Sequence, residues 1–537
     1  MGLLDLVQKT WKTLRTAIKT LLDLNRTFEA LVSRIHQGAC LPCPEPTTSY
    51  WLENPPFPNL VDIQSAQLPT KTHNVIIGSG ITGVAIARTL LQQTNRKNHY
   101  IKITVLEARD ICSGATGRNG GHVKVAPYEA FDALERKFGR ERAVALTRFQ
   151  LRHLEVLREV CESEGVEGAE CRGVETVDLF LDDKVFEGAC RVVERMKTLL
   201  PECEVKVFQA AEAREQFSTN NTVVGALSYE AGAMWPYRFV TSIWNTLLQE
   251  YPNQLTIETN TPVISIERDP AGNAYTVYTN RGIIHCNHVV HATNAWLSHL
   301  LPSFMTKATG VRAHMSAQNL GYHSYQTFHG NRSWSIIYGE NDYDYMTQRP
   351  SAKGMGDIML GGGTFRSKDD GVNQIGVWDD SCIDALTSAH LAGILPVVFS
   401  PDKEARKPEQ QERFLQQHWS GIIALTADSL PFVGKLDGRL SGRKSQRHSA
   451  GSSEWISAGY NGQGMVFAWL CGTALAVMIM GLEEENIPAS PGYPGGILSE
   501  WFPKELLLDG KRFDRIDILD LADQLYNGPG TNLFKVL

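Results

Sequence analysis

The segment Asn74–Gly83 constrains this chain more than any other. An apolar run, Asn74-Val-Ile-Ile77, leads into Gly78-x-Gly80-x-x-Gly83, and apolar residues at helical spacing follow at Val84, Ala87, Leu90 and Leu91. A second apolar run, Ile103-Thr-Val-Leu106, ends in Glu107. Strand, glycine turn, helix, strand and acid, in that order, form a dinucleotide-binding unit. Gly78 permits the tight turn, Gly80 lets backbone approach a pyrophosphate, and Gly83 lets helix and strand pack closely. The helix N-terminus offers N–H groups and the positive end of its dipole to phosphate. Glu107 is placed to accept from a ribose hydroxyl. A glycine-rich turn without a ligand would leave that acid unexplained.

The rest of the chain must house more than this unit, since 537 residues suggest roughly three or four domain-sized parts. A formal net charge of −7 argues against nucleic acid as the main partner. Ten scattered cysteines and no secretory apolar region at the start predict free thiols and a cytoplasmic location. Cys40-Leu-Pro-Cys43 is a lone pair in a Pro-rich stretch, without the second pair that a zinc site needs, so no metal is expected. Residues 465–482 reach the lower limit of a membrane span, roughly 18 apolar residues. They follow the turn Gly459-Tyr-Asn-Gly-Gln-Gly464 and lack basic flanks, so the pattern predicts a fully buried helix facing a ligand, and no transmembrane span.

Residues 1–37 read as one helix. Leu4, Val7, Trp11, Leu14, Ile18, Leu21, Asn25, Phe28, Val32 and Ile35 alternate by three and four, a seam with one polar position at Asn25. Lys9, Lys12, Arg15, Lys19, Arg26 and Arg34 face Asp5, Asp23 and Glu29 in number. Docking on its own domain, self-association and membrane-surface contact all fit. Residues 38–72 form a Pro-rich linker. Helical patterns dominate 128–200, interrupted by an alternating strand at Val174–Leu181. Strands dominate 255–290 and about 310–365, and the polar, basic run 437–453 reads as a surface loop between strands.

Several spaced motifs together resemble FAD-dependent amine and amino-acid oxidases of the D-amino-acid oxidase superfamily, most of all the gamma-glutamylputrescine oxidase type. They are Thr48–Trp51, Ser113-Gly-Ala-Thr-Gly-Arg-Asn-Gly-Gly121, Gly225–Pro236, His291–Trp296, Leu360–Gly363, Trp419–Gly421, Thr426–Gly434 and Gly459–Gly464. Residues 1–46 and 485–537 fall outside the resemblance. It implies an α/β fold: a Rossmann-like FAD-binding domain interleaved with an antiparallel-sheet substrate domain, plus the N-terminal helix. The expected division is 1–72 for helix and linker, 73–484 for the oxidoreductase module, and 485–537 for a C-terminal extension. Within the module, FAD-binding parts span about 73–127, 225–309 and 411–484, and substrate parts about 128–224 and 310–410.

The resemblance and the motif together assign FAD contacts to Gly78, Ser79, Gly80, Thr82, Gly83, Glu107 and Ala108. A second group comprises Ser113, Gly114, Thr116, Arg118, Asn119, Gly120 and Gly121. The third comprises Val263, Ala292, Thr293, Gly459, Tyr460, Asn461, Gly462, Gln463 and Gly464. Arg118 either places charge near the flavin or pins its loop. For His122 three roles stand open: covalent flavin attachment, a polar active-site contact, and packing. Tyr345, Arg366, Trp235 and Trp419 fall where relatives line the substrate side, and aromatics there can box an amine.

The implied reaction is hydride transfer from the carbon bearing a neutral amine, followed by imine hydrolysis, with O2 as acceptor. A dehydrogenase with another acceptor, a biosynthetic oxidase of a specialised metabolite, and a flavin-binding scaffold without turnover are the alternatives. Sarcosine-oxidase-like relatives carry lysines where this chain has Val466 and Met359. Their loss removes positive charge from the pocket and predicts an amine without a neighbouring carboxylate, since a buried carboxylate lacking a cation costs roughly several kcal/mol; Arg366 or Arg118 as a substitute cation is the alternative. The change at Met359 also raises the prospect of an acceptor other than oxygen.

Overall fold

A computed structural model of the chain describes residues 3–270, 272–319, 329–340, 342–350, 356–399, 415–443 and 451–520. Part of the expected surface loop (444–450) and the end of the C-terminal extension (521–537) lie outside the described residues. Three helices matter below: α1 (Leu3–Gln37), α2 (Ile81–Arg96) and α3 (Ala468–Ile479). In chain order the strands begin β1 (Asn74–Ile77), β2 (Ile103–Leu106), β3 (His122–Val123), β4 (Arg172–Phe180), β5 (Lys206–Gln209) and β6 (Gly225–Ala233). They continue β7 (Leu255–Glu258), β8 (Val263–Arg268), β9 (Tyr275–Thr279), β10 (Gly282–Cys286), β11 (His288–His291) and β12 (Ala308–Gln318). The last are β13 (Arg332–Ile337), β14 (Tyr343–Gln348), β15 (Ile358–Gly361), β16 (Leu415–Thr426), β17 (Phe432–Leu436) and β18 (Ser453–Ala458).

Six strands form the first sheet in the order β17-β18-β11-β1-β2-β7. All neighbours are parallel except the edge pair β17–β18. β1 and β2 are buried along their whole length, as strands covered on both faces must be. The chain leaves β1 for β2 on one side, while β11 and β18 lie on the other, so β1 marks the topological switch point. β8, β9 and β10 form a separate antiparallel meander.

The second sheet runs β16-β12-β15-β14-β13-β4-β6-β3, with β5 also pairing β6. β6 and β16 thus belong to this sheet, although both lie in segments assigned from sequence to FAD binding. The dividing lines fall inside those segments. β3, only two residues long, carries the glycine-rich loop 113–121 directly onto the same sheet through His122↔Ala233 and Val123↔Gly232.

Residues 468–478 of α3 are all buried, and the helix packs along α2. Among the described residues no helix is long and apolar enough to cross a membrane. The apolar run is instead sheathed by protein on every side.

α1 is a single helix, as its periodicity predicts, but only its end is docked. Leu31 and Ile35 are buried with Val311, Ile375, Leu425 and Ile518. The Arg34 guanidinium donates to the carbonyls of Val372 (2.7 Å) and Ile375 (2.8 Å). Ile518 belongs to the C-terminal extension, so the end of α1 and the extension meet in one cluster. The extension is held further by Arg142–Glu505 (2.6 Å) and Arg512–Asp428 (2.7 Å).

At the α2–α3 contact, a Cβ on Gly472 would sit 3.0 Å from both the Thr82 carbonyl oxygen and Ala85 Cβ. Gly472→Val should therefore destabilise the protein by about 1–3 kcal/mol through overpacking. A thermal melt reads this as a lowered midpoint, and an unchanged midpoint would contradict the close contact.

Candidate active site

One cavity of about 340 Å³ collects the carboxyl ends of the central strands. Ile77 and Gly78 come from β1, Leu106 and Glu107 from β2, Ala292 and Thr293 from the end of β11, and Tyr460 from just beyond β18. The glycine turn is built tightly: a Cβ on Gly83 would lie 2.1 Å from the Gly78 carbonyl oxygen, and Gly78 itself has φ +112°. Glu107 holds that turn. Its Oε2 accepts from Ser79 N (3.0 Å) and Ser79 Oγ (2.7 Å), and its Oε1 accepts from Arg109 N (3.2 Å). Thr116 Oγ1 accepts from Ile81 N at 3.1 Å, tying the loop 113–121 to the first turn of α2. Thr82 Oγ1 donates to Tyr460 Oη (3.1 Å), which also bonds Ser457 Oγ (2.8 Å), so the two glycine-rich turns are joined.

Arg118 is buried and pins its loop. Its Nε donates to the Ser420 carbonyl (2.7 Å) and lies 3.6 Å from Asp380, and its Nη2 donates to the Thr47 carbonyl and Thr47 Oγ1. Burial pulls its pKa down to about 10, against the opposing charge of Asp380. Asp380 has a fully buried side chain and also accepts two hydrogen bonds from Arg109 Nη1 (3.1 and 3.0 Å).

Beyond the loop the cavity opens toward the second sheet. β3 and its continuation alternate, and His122, Lys124 and Ala126 all face the cavity. Lys124 Nζ donates to Asp178 Oδ1 and Ser335 Oγ, both at 2.5 Å. Asp178 Oδ2 accepts from Tyr128 Oη (2.9 Å) and Tyr229 Oη (2.6 Å). Burial first, then the Asp178 charge, push both phenols well above the usual tyrosine range, so they stay protonated donors. Glu129 and Glu340 complete this end of the wall together with Tyr343, Tyr345 and Ile337.

His122 stacks on Tyr345 (6.3 Å, 24°) and its Nε2 is 2.9 Å from Ser333 Oγ. Ser333 gives its hydroxyl proton to Thr176 Oγ1 at 2.8 Å. It therefore accepts from His122, which fixes the Nε2–H tautomer and leaves Nδ1 with a lone pair. Burial, then the neighbouring Lys124 charge, lower the His122 pKa well below its usual value and keep the ring neutral.

The structure gathers most of the residues expected from sequence. Gly78, Gly80, Thr82, Glu107, Ala108, Gly114, Thr116, Arg118, Asn119, Gly120, Val263, Ala292 and Thr293 line the cavity, as do Tyr460, Gly462, Gln463, Gly464, His122 and Tyr345. Ser79, Gly83, Ser113, Gly121, Gly459 and Asn461 stand behind the wall. Asn461, for instance, spends its Oδ1 on Thr426 N (2.8 Å). Three candidates stand elsewhere. Arg366 pairs with Asp342 (2.6 Å) and stacks on Tyr338, because Gly363 (φ +66°) turns the chain away after β15. Trp235 and Trp419 are buried, and their indole N–H groups are committed to the carbonyls of Trp51 (2.8 Å) and Arg118 (2.7 Å). Val466 lines the cavity, whereas Met359 is fully buried in the core. Lys124 and Asp178 were not anticipated; the alternation His122-Val-Lys124-Val-Ala126 was the available signal for Lys124.

The wall has the features a dinucleotide flavin requires. Gly80 leaves room where a Cβ would lie 2.9 Å from Thr116 Oγ1, and a Cβ on Gly114 would meet nothing within 4 Å. Arg118 Nη1, Thr293 Oγ1 and Trp296 Nε1 are buried polar atoms without a protein partner, and all three residues line the cavity. Such atoms call for a bound polar group. The glycine turn, Glu107 and the loop 114–120 would hold the adenylate and pyrophosphate, and the turn 460–464 the ring end.

A family model described as FAD dependent oxidoreductase matches residues 74–478. "Probable oxidoreductase OrdL" of Haemophilus influenzae is 18% identical over 464 residues, covering 83% of this chain and 91% of that protein. Among solved structures, L-proline dehydrogenase from P. horikoshii has a TM-score of 0.55 at 22% identity, covering 77% of this chain and 94% of its own. Glycine oxidase from Bacillus cereus gives 0.56 at 15%, covering 77% and 96%. NikD, an unusual amino acid oxidase essential for nikkomycin biosynthesis, gives 0.55 at 16%, covering 80% and 98%.

Two outcomes follow from this geometry. Gly80→Val should abolish cofactor binding, because its side chain fills the approach between α2 and Thr116. The purified variant should be colourless, and a yellow one would contradict the cradle. Asp380→Asn leaves Arg109 and Arg118 buried without their carboxylate and should cost about 3–5 kcal/mol. A denaturant titration measures the loss, and a change within experimental error would show that the two arginines do not depend on Asp380.

Proposed function

The chain belongs to the FAD-dependent oxidoreductase family, and on that footing we propose that it oxidises the C–N bond of an amine, with O2 as the electron acceptor. The amine we infer is one whose reacting end has no neighbouring carboxylate, such as a polyamine derivative or a specialised metabolite. The finer likeness to the gamma-glutamylputrescine oxidase type supports the same reading. The observation that carries it is the charge on the substrate-side wall. Lys124 is matched by Asp178, and Glu340 adds a further carboxylate. That wall disfavours an anionic substrate and suits a second amino group remote from the reacting one.

Bound FAD supplies the two-electron acceptor for the hydride that leaves the amine-bearing carbon. The protein's own part is to select the neutral amine and hold it. Nδ1 of His122 accepts the amine N–H, with the ring fixed by Ser333 behind it and Tyr345 beside it. Burial, and then Lys124 held by Asp178 and Ser335, keep the His122 ring neutral and so able to accept. Asp178 is itself fixed by hydrogen bonds from Tyr128 and Tyr229. No proton needs to be taken from carbon, so no strong base is required.

A peroxide-coupled screen of polyamines, amino acids and N-methylated amines tests the substrate class. Glycine, sarcosine or a D-amino acid as best substrate would overturn it, and turnover with an artificial dye but without peroxide would remove O2 as the acceptor. With the best substrate, kcat/KM should fall about tenfold per pH unit below the pKa of its amine, as the neutral fraction shrinks. That limb should persist in His122→Asn, which keeps an acceptor at the Nδ1 position. In His122→Phe, kcat/KM should drop roughly ten- to hundredfold. A limb that disappears in His122→Asn would mean that His122 itself titrates. Acid precipitation should release the colour; colour retained in the pellet would instead show covalent attachment.

A further inference from the structure

The exposed part of α1 is an amphipathic surface that its own domain does not cover. Every described side chain from Asp5 to Arg26 is exposed. Trp11 is 68% exposed, Leu21 65% and Leu22 55%, with Leu14, Ile18 and Leu24 about half exposed. At 100° per residue these six cover an arc of about 160°. Lys12, Arg15, Lys19 and Arg26 fall in one strip along a single edge of that arc, within about 60°. Thr13, Thr16, Thr20 and Thr27 lie on the remaining face, each hydroxyl bonded back to the carbonyl four residues earlier.

We propose that this part of α1 lies on a lipid surface bearing anionic headgroups. The apolar arc enters the acyl boundary while the basic strip meets the phosphates. Charge selects this occupant. The first 24 residues hold four cations and two anions in a chain of net charge −7, so the helix is attracted where the body is repelled. A second copy of α1 fits less well. A paired coiled coil buries a narrower seam of two positions in seven. With Asn25 at an a position, the flanking g–e pairs would be Thr10–Arg15, Ala17–Leu22 and Leu24–Glu29, none of opposite charge. The docked residues Leu31 and Ile35 anchor the helix to the domain, so the body is held to the surface without a membrane span.

Flotation of the full chain with vesicles tests this, using phosphatidylcholine alone and phosphatidylcholine containing phosphatidylserine. Binding is expected only with phosphatidylserine and should weaken as salt rises. The triple change Lys12→Gln, Arg15→Gln and Lys19→Gln should weaken it about a hundredfold, and Ile18→Asp should abolish it. All four positions are exposed, so the fold and the flavin spectrum should be retained. Equal binding to both vesicles, or none to either, overturns the proposal. So does a doubled mass in light scattering that Ile18→Asp returns to that of one chain, which would assign the surface to a second copy.

Discussion

The buried carboxylate of Asp380 holds together parts of the chain that are far apart in sequence. It takes two hydrogen bonds from Arg109, which follows the β2 acid, and faces Arg118 in the glycine-rich loop. Its carbonyl accepts from Thr47 N at 2.7 Å, and Thr47 in turn accepts from Arg118 and lies beside Ser420. Cofactor loop and the end of β2 thus converge on its side chain, and the linker and the middle of β16 on its backbone carbonyl. Two guanidinium groups around one carboxylate carry excess positive charge in a buried place, and Arg118 Nη1 remains without a protein partner at the cavity wall. An anionic ligand completes that balance. The same contact that fixes the fold therefore leaves a cationic donor at the cavity wall.

The second constraint is the short strand β3. It makes the glycine-rich loop 113–121 continuous with the second sheet, which lines the far side of the cavity. Gly120 packs where a Cβ would lie 2.5 Å from the Tyr345 ring, and Thr347 Oγ1 bonds the Gly120 carbonyl at 2.6 Å. Movement of the flavin-side loop and movement of Tyr345 are thereby linked. His122 and Lys124 inherit their positions from this junction.

Much of this was legible from local pattern. β1 and β2 appear at the limits their apolar runs predicted, because strands covered on both faces need unbroken apolar sequence. The period of α1 announced its length but not its covering, since periodicity reports an apolar face and not what lies against it. Arg366 was named from a likeness to relatives, which does not report the turn at the αL residue Gly363 that carries it to Asp342. Sequence leaves Trp235 and Trp419 open between core and rim, because an indole serves equally as an aromatic wall or a loop pin, and their N–H groups are committed to the carbonyls of Trp51 and Arg118. Asp380 gave no local signal: its partner Arg109 is 271 residues away in the chain.

The order of strands in the first sheet also sets a timetable. β1 lies between β2 and β11, and β11 in turn needs β18, which begins at Ser453. A ribosome adding roughly 5–20 residues per second makes β1 about a minute or less before its sheet can be completed. Over that interval α2 lacks α3, the helix that covers it. The nascent chain thus carries an apolar, half-built nucleotide fold from β1 until β18 and α3 have been made, and only then does the cradle close. Cofactor capture is a late event in the life of this molecule, and the early fragment is the form most exposed to aggregation or to chaperone binding.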